Sequence, residues 1–283
     1  MSDQFNNDCA FVPGANDERV NRKLGMQELY GIRRHVVSAL GVLTLVVVWA
    51  ILAAVVGNHA LLPTPQAVAG RLVRDMTNPV FLSAVRTTVV EATVGCVVGS
   101  FFALILAYVI FKNEYVAAAF APIVAISQAI PSVAIAPLLV IWLGYGVFAI
   151  SVLCALMVFF PILVTAVLGF ESMPRDVLEA AMLDGASGWS MLRFMEAPLA
   201  LPALLAGLRT GFTLSVIGAV VGEFVMGGRG LGARLSLQSA AADMTGLFST
   251  VTVLCSLAAL AFATIAMIER RSAIVQSLSQ KVK

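Results

Sequence analysis

The sequence predicts an all-α polytopic membrane protein with about six transmembrane helices. Three observations carry this. Of the 283 residues, 60% are hydrophobic and only 12% are charged, against about a quarter charged in soluble domains. The apolar residues fall in long runs. Tyr115 to Phe170 contains no Asp, Glu, Lys, Arg or His, and Val36–Gly57, Ala92–Phe111 and Met244–Ile268 are equally free of charge. Each of the last three is close to the ~20 residues that a bilayer-crossing helix needs. Finally, the lysines and arginines segregate to one side of a six-span arrangement, as described below.

Residues 1–35 are polar and read as a cytoplasmic tail, with a short amphipathic helix near Met26–Arg34. The first span covers about 36–57; it is long and lacks a small-residue cleavage site, so it is expected to be retained. Pro63, Pro65 and Pro79 break the following loop. The second span, about 85–111, stops at Lys112-Asn113-Glu114. The uncharged stretch after it is too long for one helix, and Gly144-Tyr145-Gly146 is its natural turn, giving spans of about 116–143 and 147–169. A polar segment, 171–197, precedes the fifth span at about 201–226. A glycine-rich loop, Gly227-Gly228-Arg229-Gly230-Leu231-Gly232, then leads through a short amphipathic stretch to the sixth span, 247–268, and a tail, 269–283.

With six spans both termini share one side. That side collects five cations from the first tail, Lys112, Arg175, Arg193 and four from the last tail; Arg71, Arg74, Arg86, Arg229 and Arg234 lie opposite. The excess places the termini and the 171–197 segment in the cytoplasm. The protein is therefore expected to be multi-pass with both termini cytoplasmic.

Composition also excludes function classes. Cys9, Cys96, Cys154 and Cys255 form no C-x-x-C pair, and the last three sit in apolar runs as small packing residues. His35 and His59 are the only histidines, one in a tail and one in a loop, so there is no buried Ser–His pair and no His-Glu-x-x-His metal site. The aspartates are scattered, and no basic cluster interleaves with aromatics. Enzyme catalysis, a resident metal and nucleic-acid binding are not expected.

The most informative segment reads Glu179-Ala180-Ala181-Met182-Leu183-Asp184-Gly185, continuing to Pro198. Helical spacing puts Leu178, Ala181 and Met182 on one face. Gly185 can take a left-handed conformation and end that helix, and Ser187 is placed to cap a second one carrying Trp189, Leu192 and Phe194. Glu179, Ala180, Ala181, Gly185 and Pro198 resemble, at the right spacing, the signature of ABC importer permeases; Met195 and Ala197 stand where that pattern prefers Ile and Leu. Leu61-Leu62-Pro63-Thr64-Pro65, Ile130-Pro131, Phe159-Phe160-Pro161-Ile162 and Gly230-Leu231-Gly232 look like further motifs of the branch that imports nitrate, sulfonates, taurine and related compounds.

This resemblance implies a type I ABC importer permease-like bundle whose 171–197 loop couples to an ATPase, with Glu179 holding the turn by accepting amide hydrogens from the second helix. It implies ATP-binding cassette subunits, a second permease copy and a periplasmic or lipid-anchored substrate-binding protein as partners. The chain has no G-x-x-x-x-G-K-[ST] loop, so ATP and Mg are expected on the separate ATPase. A stand-alone carrier, or the substrate-binding membrane component of a vitamin transporter, is the alternative; neither needs such a loop.

Four further residues are candidates for the pathway or its support. Pro131 interrupts the third span, and Gln128 and Ser132, at i and i+4, share a face with it. Both a substrate-facing surface and interhelical glue fit that pattern. Glu91, in the second span, fits either the path or a pairing with Arg86 or Arg229. Glu223, just before the glycine loop, fits a periplasmic gate or support and equally an interface salt bridge.

Overall fold

The computed structural model describes residues 37, 40–58, 61–127 and 129–271. The amphipathic helix expected near 26–34 and most of both tails lie outside them. The chain divides into two units, 1–65 and 66–283. In the first, α1 (Leu40–Val56) is apolar, and the Trp49 indole donates to the Pro63 carbonyl at 3.1 Å, tying the helix to the chain that follows it.

The second unit is a helical bundle. In chain order it contains α2 (Pro65–Met76), α3 (Pro79–Lys112), α4 (Glu114–Ser127), α5 (Ser132–Leu143) and α6 (Val147–Glu171). Short helices α7 (Arg175–Leu183) and α8 (Gly188–Met191) follow, then a π-helical turn (Leu192–Glu196), α9 (Ala197–Met226), α10 (Leu231–Ala240) and α11 (Met244–Arg271). Among the described residues, α3, α6, the continuous 188–226 helix and α11 are long and apolar enough to cross a membrane. Asn78 starts α3 by accepting from the Val80 amide at 2.9 Å, with Pro79 in the first turn, where its missing N–H costs nothing.

The stretch expected as one span over 116–143 forms two helices, α4 and α5. Pro131 is the reason: it has no amide hydrogen, and its ring disfavours helical geometry in the residue before it. It caps α5 instead, at φ −69° and ψ 119°. Pro122 and Pro137 stay inside their helices.

α6 is the central helix, packed between α3 and α9. In a bilayer the hydrophobic effect does not drive helices together, so close packing and hydrogen bonds must. The sequence supplies small residues for this. Gly95 and Gly99 of α3 lie directly against Ser151, Cys154 and Ala155 of α6, and Ala103 and Ala107 continue the same buried face beside Val158 and Ile162. On the other side Gly207, Gly211, Gly218 and Gly222 of α9 receive Thr165, Ile162, Met157 and Ile150. The Ser215 hydroxyl donates to the Ala92 carbonyl, linking α9 to α3 directly.

Candidate functional site

The 171–196 segment sits at one end of α3, α6 and α9. α7 begins after Pro174, with Asp176 in its first turn, where a negative charge meets the positive helix end. It closes by a paired backbone motif: the Ala186 amide donates to the Ala181 carbonyl at 2.9 Å and the Gly185 amide to the Met182 carbonyl at 3.0 Å. That closure needs a left-handed residue, and Gly185 has φ +88°. Ala181 is buried, whereas Glu179, Ala180 and Gly185 are exposed and Pro198 is half-buried in the first turn of α9.

The expected role of Glu179 in the turn is not seen: among the described residues its exposed carboxylate makes no hydrogen bond to the start of α8. Ser187 occupies the cap position of α8 without a side-chain bond. Met182, expected on one face with Leu178 and Ala181, is exposed. With Leu183 (89% exposed), Trp189 (71%) and Phe194 (69%) it leaves the segment with an uncovered apolar surface, of a kind that marks an interaction site.

At the far end of α3 and α9, Glu223 is fully buried. Thr88 donates to its Oε1 at 2.7 Å, and the Gly232 amide donates to its Oε2. The Leu231 amide in turn donates to the Thr88 hydroxyl at 2.8 Å. The carboxylate thus holds one orphan amide at the start of α10 directly and a second through Thr88, and so fixes the Gly227–Gly230 loop. The glycines make room: a Cβ on Gly230 would lie 1.9 Å from Glu223 Oε1, and one on Gly232 would lie 2.4 Å from the Val220 carbonyl. Glu223 is therefore a buried staple, and it forms no salt bridge among the described residues.

Glu91 is also buried, at 1% exposure, within the α3–α6–α9 core. Among the described residues its acidic neighbour is Glu223, and it forms no ion pair with Arg86 or Arg229. Its Oε2 finds no hydrogen-bond partner there.

A cavity of about 540 Å³ lies beside the α4–α5 break. Ser127, Ile130, Met157, Phe160 and Leu214 are among the residues that line it; Glu91 is not. Gln128 and the Ser132 side chain lie outside the described residues.

Two polar clusters were not legible in the sequence. Arg71 pairs with Asp75 at 3.2 Å and with Asp243 at 3.0 Å, Ser249 donates to Asp75 at 2.8 Å, and Asp243 accepts from the Gly246 amide at 2.9 Å. This ties α2 to the start of α11. Only the i, i+4 spacing of Arg71 and Asp75 hinted at it. Asp75→Ala is expected to destabilise the purified protein by about 2 kcal/mol, as for a buried hydrogen bond to a charged group, measured by thermal unfolding in detergent. The second cluster, Lys112 with Glu196, lies at the other end.

Long apolar helices joined by buried hydrogen bonds, a two-helix loop with an uncovered apolar surface and a cavity beside a broken helix define a polytopic helical membrane protein. The chain belongs to the binding-protein-dependent transport system inner membrane component family, whose pattern matches residues 95–277. It is 39% identical over 207 residues to the riboflavin transport system permease protein RibX of Chloroflexus aurantiacus, covering 73% of this chain and 75% of that one. It is 33% identical over 227 residues to the formylaminopyrimidine transport permease protein ThiX of Halalkalibacterium halodurans, covering 80% and 90%. Its fold matches a chain of the MetNI methionine ABC transporter in an inward-facing conformation, with a TM-score of 0.62, 20% identity and coverage of 67% and 94%. The protein is thus the membrane-spanning permease subunit of an ABC importer and forms the translocation pathway for a small solute. The stand-alone carrier reading is not favoured.

Proposed function

We propose that the 171–196 segment is the coupling element through which a separate ATPase drives this permease. The observation that carries the reading is the Gly185-closed pair of short helices, which leaves Leu183, Trp189 and Phe194 uncovered at the end of the bundle. Apolar side chains displayed around a small, closed turn suit insertion into a groove on a partner, and Ala180 keeps the approach close. ATP and Mg are bound by the ATPase. Two permease copies pair, a periplasmic or lipid-anchored binding protein delivers the solute at the outer mouth, and both termini and the coupling segment face the cytoplasm. ATPase closure, carried by the segment, alternates access of the pathway between the two sides. The cavity beside the α4–α5 break, with Gln128 and Ser132 close to it in sequence, is the part of the pathway that meets the solute.

The solute is small and organic or anionic; the relatives named for riboflavin and formylaminopyrimidine make heterocycles the first to test. Stimulation of ATP hydrolysis by one candidate, with its binding protein and the reconstituted complex, identifies it. No stimulation by any candidate, with an intact complex, counts against the reading.

Gly185→Val tests the coupling element itself. A β-branched residue at φ +88° is strained by about 1–2 kcal/mol or more, so the turn reopens. The expected outcome is unchanged membrane insertion with at least tenfold less ATPase co-purified. Full co-purification and full transport by this variant are incompatible with the proposal.

A further inference from the structure

α3 and α9 run antiparallel and are joined at three heights. At the far end Thr88 meets Glu223, and between the ends Ser215 meets the Ala92 carbonyl. At the coupling end Lys112, the last residue of α3, forms an ion pair with Glu196. The Lys112 ammonium also lies 5.5 Å from the Tyr108 ring centre and 5.1 Å from that of Phe111. Phe111 stacks on Phe170 of α6 at 5.4 Å, and Tyr108 meets the same ring edge-on at 5.8 Å.

Glu196 stands at a particular place. It is the last residue of the π-helical turn by which the 171–196 segment runs into α9, and it is 1% exposed. A π-turn carries an extra residue and often marks a functional position in a helix. Movement of α7 and α8 reaches this turn first, and a turn that simply flexed would absorb it. The buried carboxylate opposes that. Separating it from Lys112, its ion-pair partner among the described residues, would leave a charge out of water and unpaired, which is strongly unfavourable. Lys112 must therefore follow Glu196, and α3 must follow Lys112.

Resting on the coupling reading above, we infer that Lys112 and Glu196 are a positioning pair that hands movement of the coupling segment to α3, so that α3 and α9 travel as one body and carry it to the glycine loop at the other end. Neither residue needs to touch the ATPase or the solute.

The test uses the permease with its co-purified ATPase in lipid nanodiscs. An environment-sensitive fluorophore is attached at Leu237→Cys, 70% exposed on α10, with Cys9 and Cys255 replaced by serine. Mg-ATP with orthovanadate is the trigger, so no solute need be known. In the labelled parent, the trigger is expected to change the fluorescence. Lys112→Gln should cut that change at least fivefold while ATP hydrolysis stays within twofold, and Lys112→Arg should restore at least half of it. Lys112→Glu should lose the response, and Lys112→Glu with Glu196→Lys should regain it. Should Lys112→Gln fail to assemble, this reversed pair against Lys112→Glu alone decides the matter. A full response from Lys112→Gln, or a reversed pair no better than Lys112→Glu, overturns the inference and leaves the coupling reading standing. A labelled parent that holds no ATPase, or holds one and does not respond, overturns both.

Discussion

Gly99→Ala is expected to destabilise the folded protein by about 3 kcal/mol, the upper end of what overpacking a well-filled interior costs. The added Cβ would lie 2.6 Å from the Ala155 carbonyl oxygen, 3.0 Å from its Cα and 3.2 Å from its carbonyl carbon. All three are backbone atoms, so no rotamer change relieves the clash, and α3 and α6 must separate along their whole shared face. Gly95→Ala meets the Cys154 Cβ at 2.2 Å and the Ser151 carbonyl oxygen at 2.7 Å. Removing the first obstacle with Cys154→Gly therefore recovers only part of the loss. Gly211→Ala provides the contrast: its closest contacts are side-chain carbons of Ile162 and Val158, which can shift, and its cost is expected to stay near ~1 kcal/mol. Thermal unfolding in detergent, followed by size exclusion, gives the ranking. Equal losses at 99 and 211 would mean that the α3–α6 contact is looser than described.

Glu223→Ala is expected to be as damaging, at roughly 3–5 kcal/mol, because it strands the Gly232 amide, removes the closer acceptor of the Thr88 hydroxyl and leaves a space where the side chain was. Its local signature separates it from a general loss of stability. The Gly227–Gly230 loop loses its anchor, so trypsin should cut after the exposed Arg229 at least tenfold faster than in the parent protein. Glu223→Gln should be much milder. Its amide oxygen can accept from Gly232 and its NH2 can donate to the Thr88 oxygen, while the Thr88 hydroxyl turns to the Ala84 carbonyl, 3.2 Å away. A Gln variant as sensitive as the Ala variant would show that charge, and not hydrogen bonding, holds the loop.

The two kinds of site differed in how far they could be read from sequence. Features that depend on neighbours in the chain were legible. Gly185 ends its helix because the motif that closes it spans six residues, and Pro131 interrupts its span through its own ring and missing hydrogen. Features that join distant elements were not. Thr88 and Glu223 are 135 residues apart, Lys112 and Glu196 are 84 apart, and Asp75 and Ser249 are 174 apart. No local pattern selects such partners, and Glu91, read as either a path residue or a partner of Arg86 or Arg229, has another carboxyl beside it. The glycines of α3 fall between these cases. The Gly95–Gly99 spacing is a close-packing signal, but only the fold says which helix it receives. Likewise the turn around Gly185 was expected to need Glu179, whereas backbone amides suffice and the carboxylate is left exposed.

The break between α4 and α5 has one more consequence. The two helices have 14 and 12 residues, about 21 and 18 Å at 1.5 Å per residue. Neither alone matches the ~30 Å hydrocarbon core of a bilayer. The last turn of α4 offers carbonyls and the first turn of α5 offers amides, partial charges of opposite sign fixed by the backbone. Tyr115 to Phe170 contains no residue charged at neutral pH, so polarity in this stretch is borne largely by peptide groups. Such polarity does not titrate and cannot be mutated away. Substitutions along α4 and α5 can reshape the walls of the adjoining cavity, but the dipoles at the break are written into the course of the main chain.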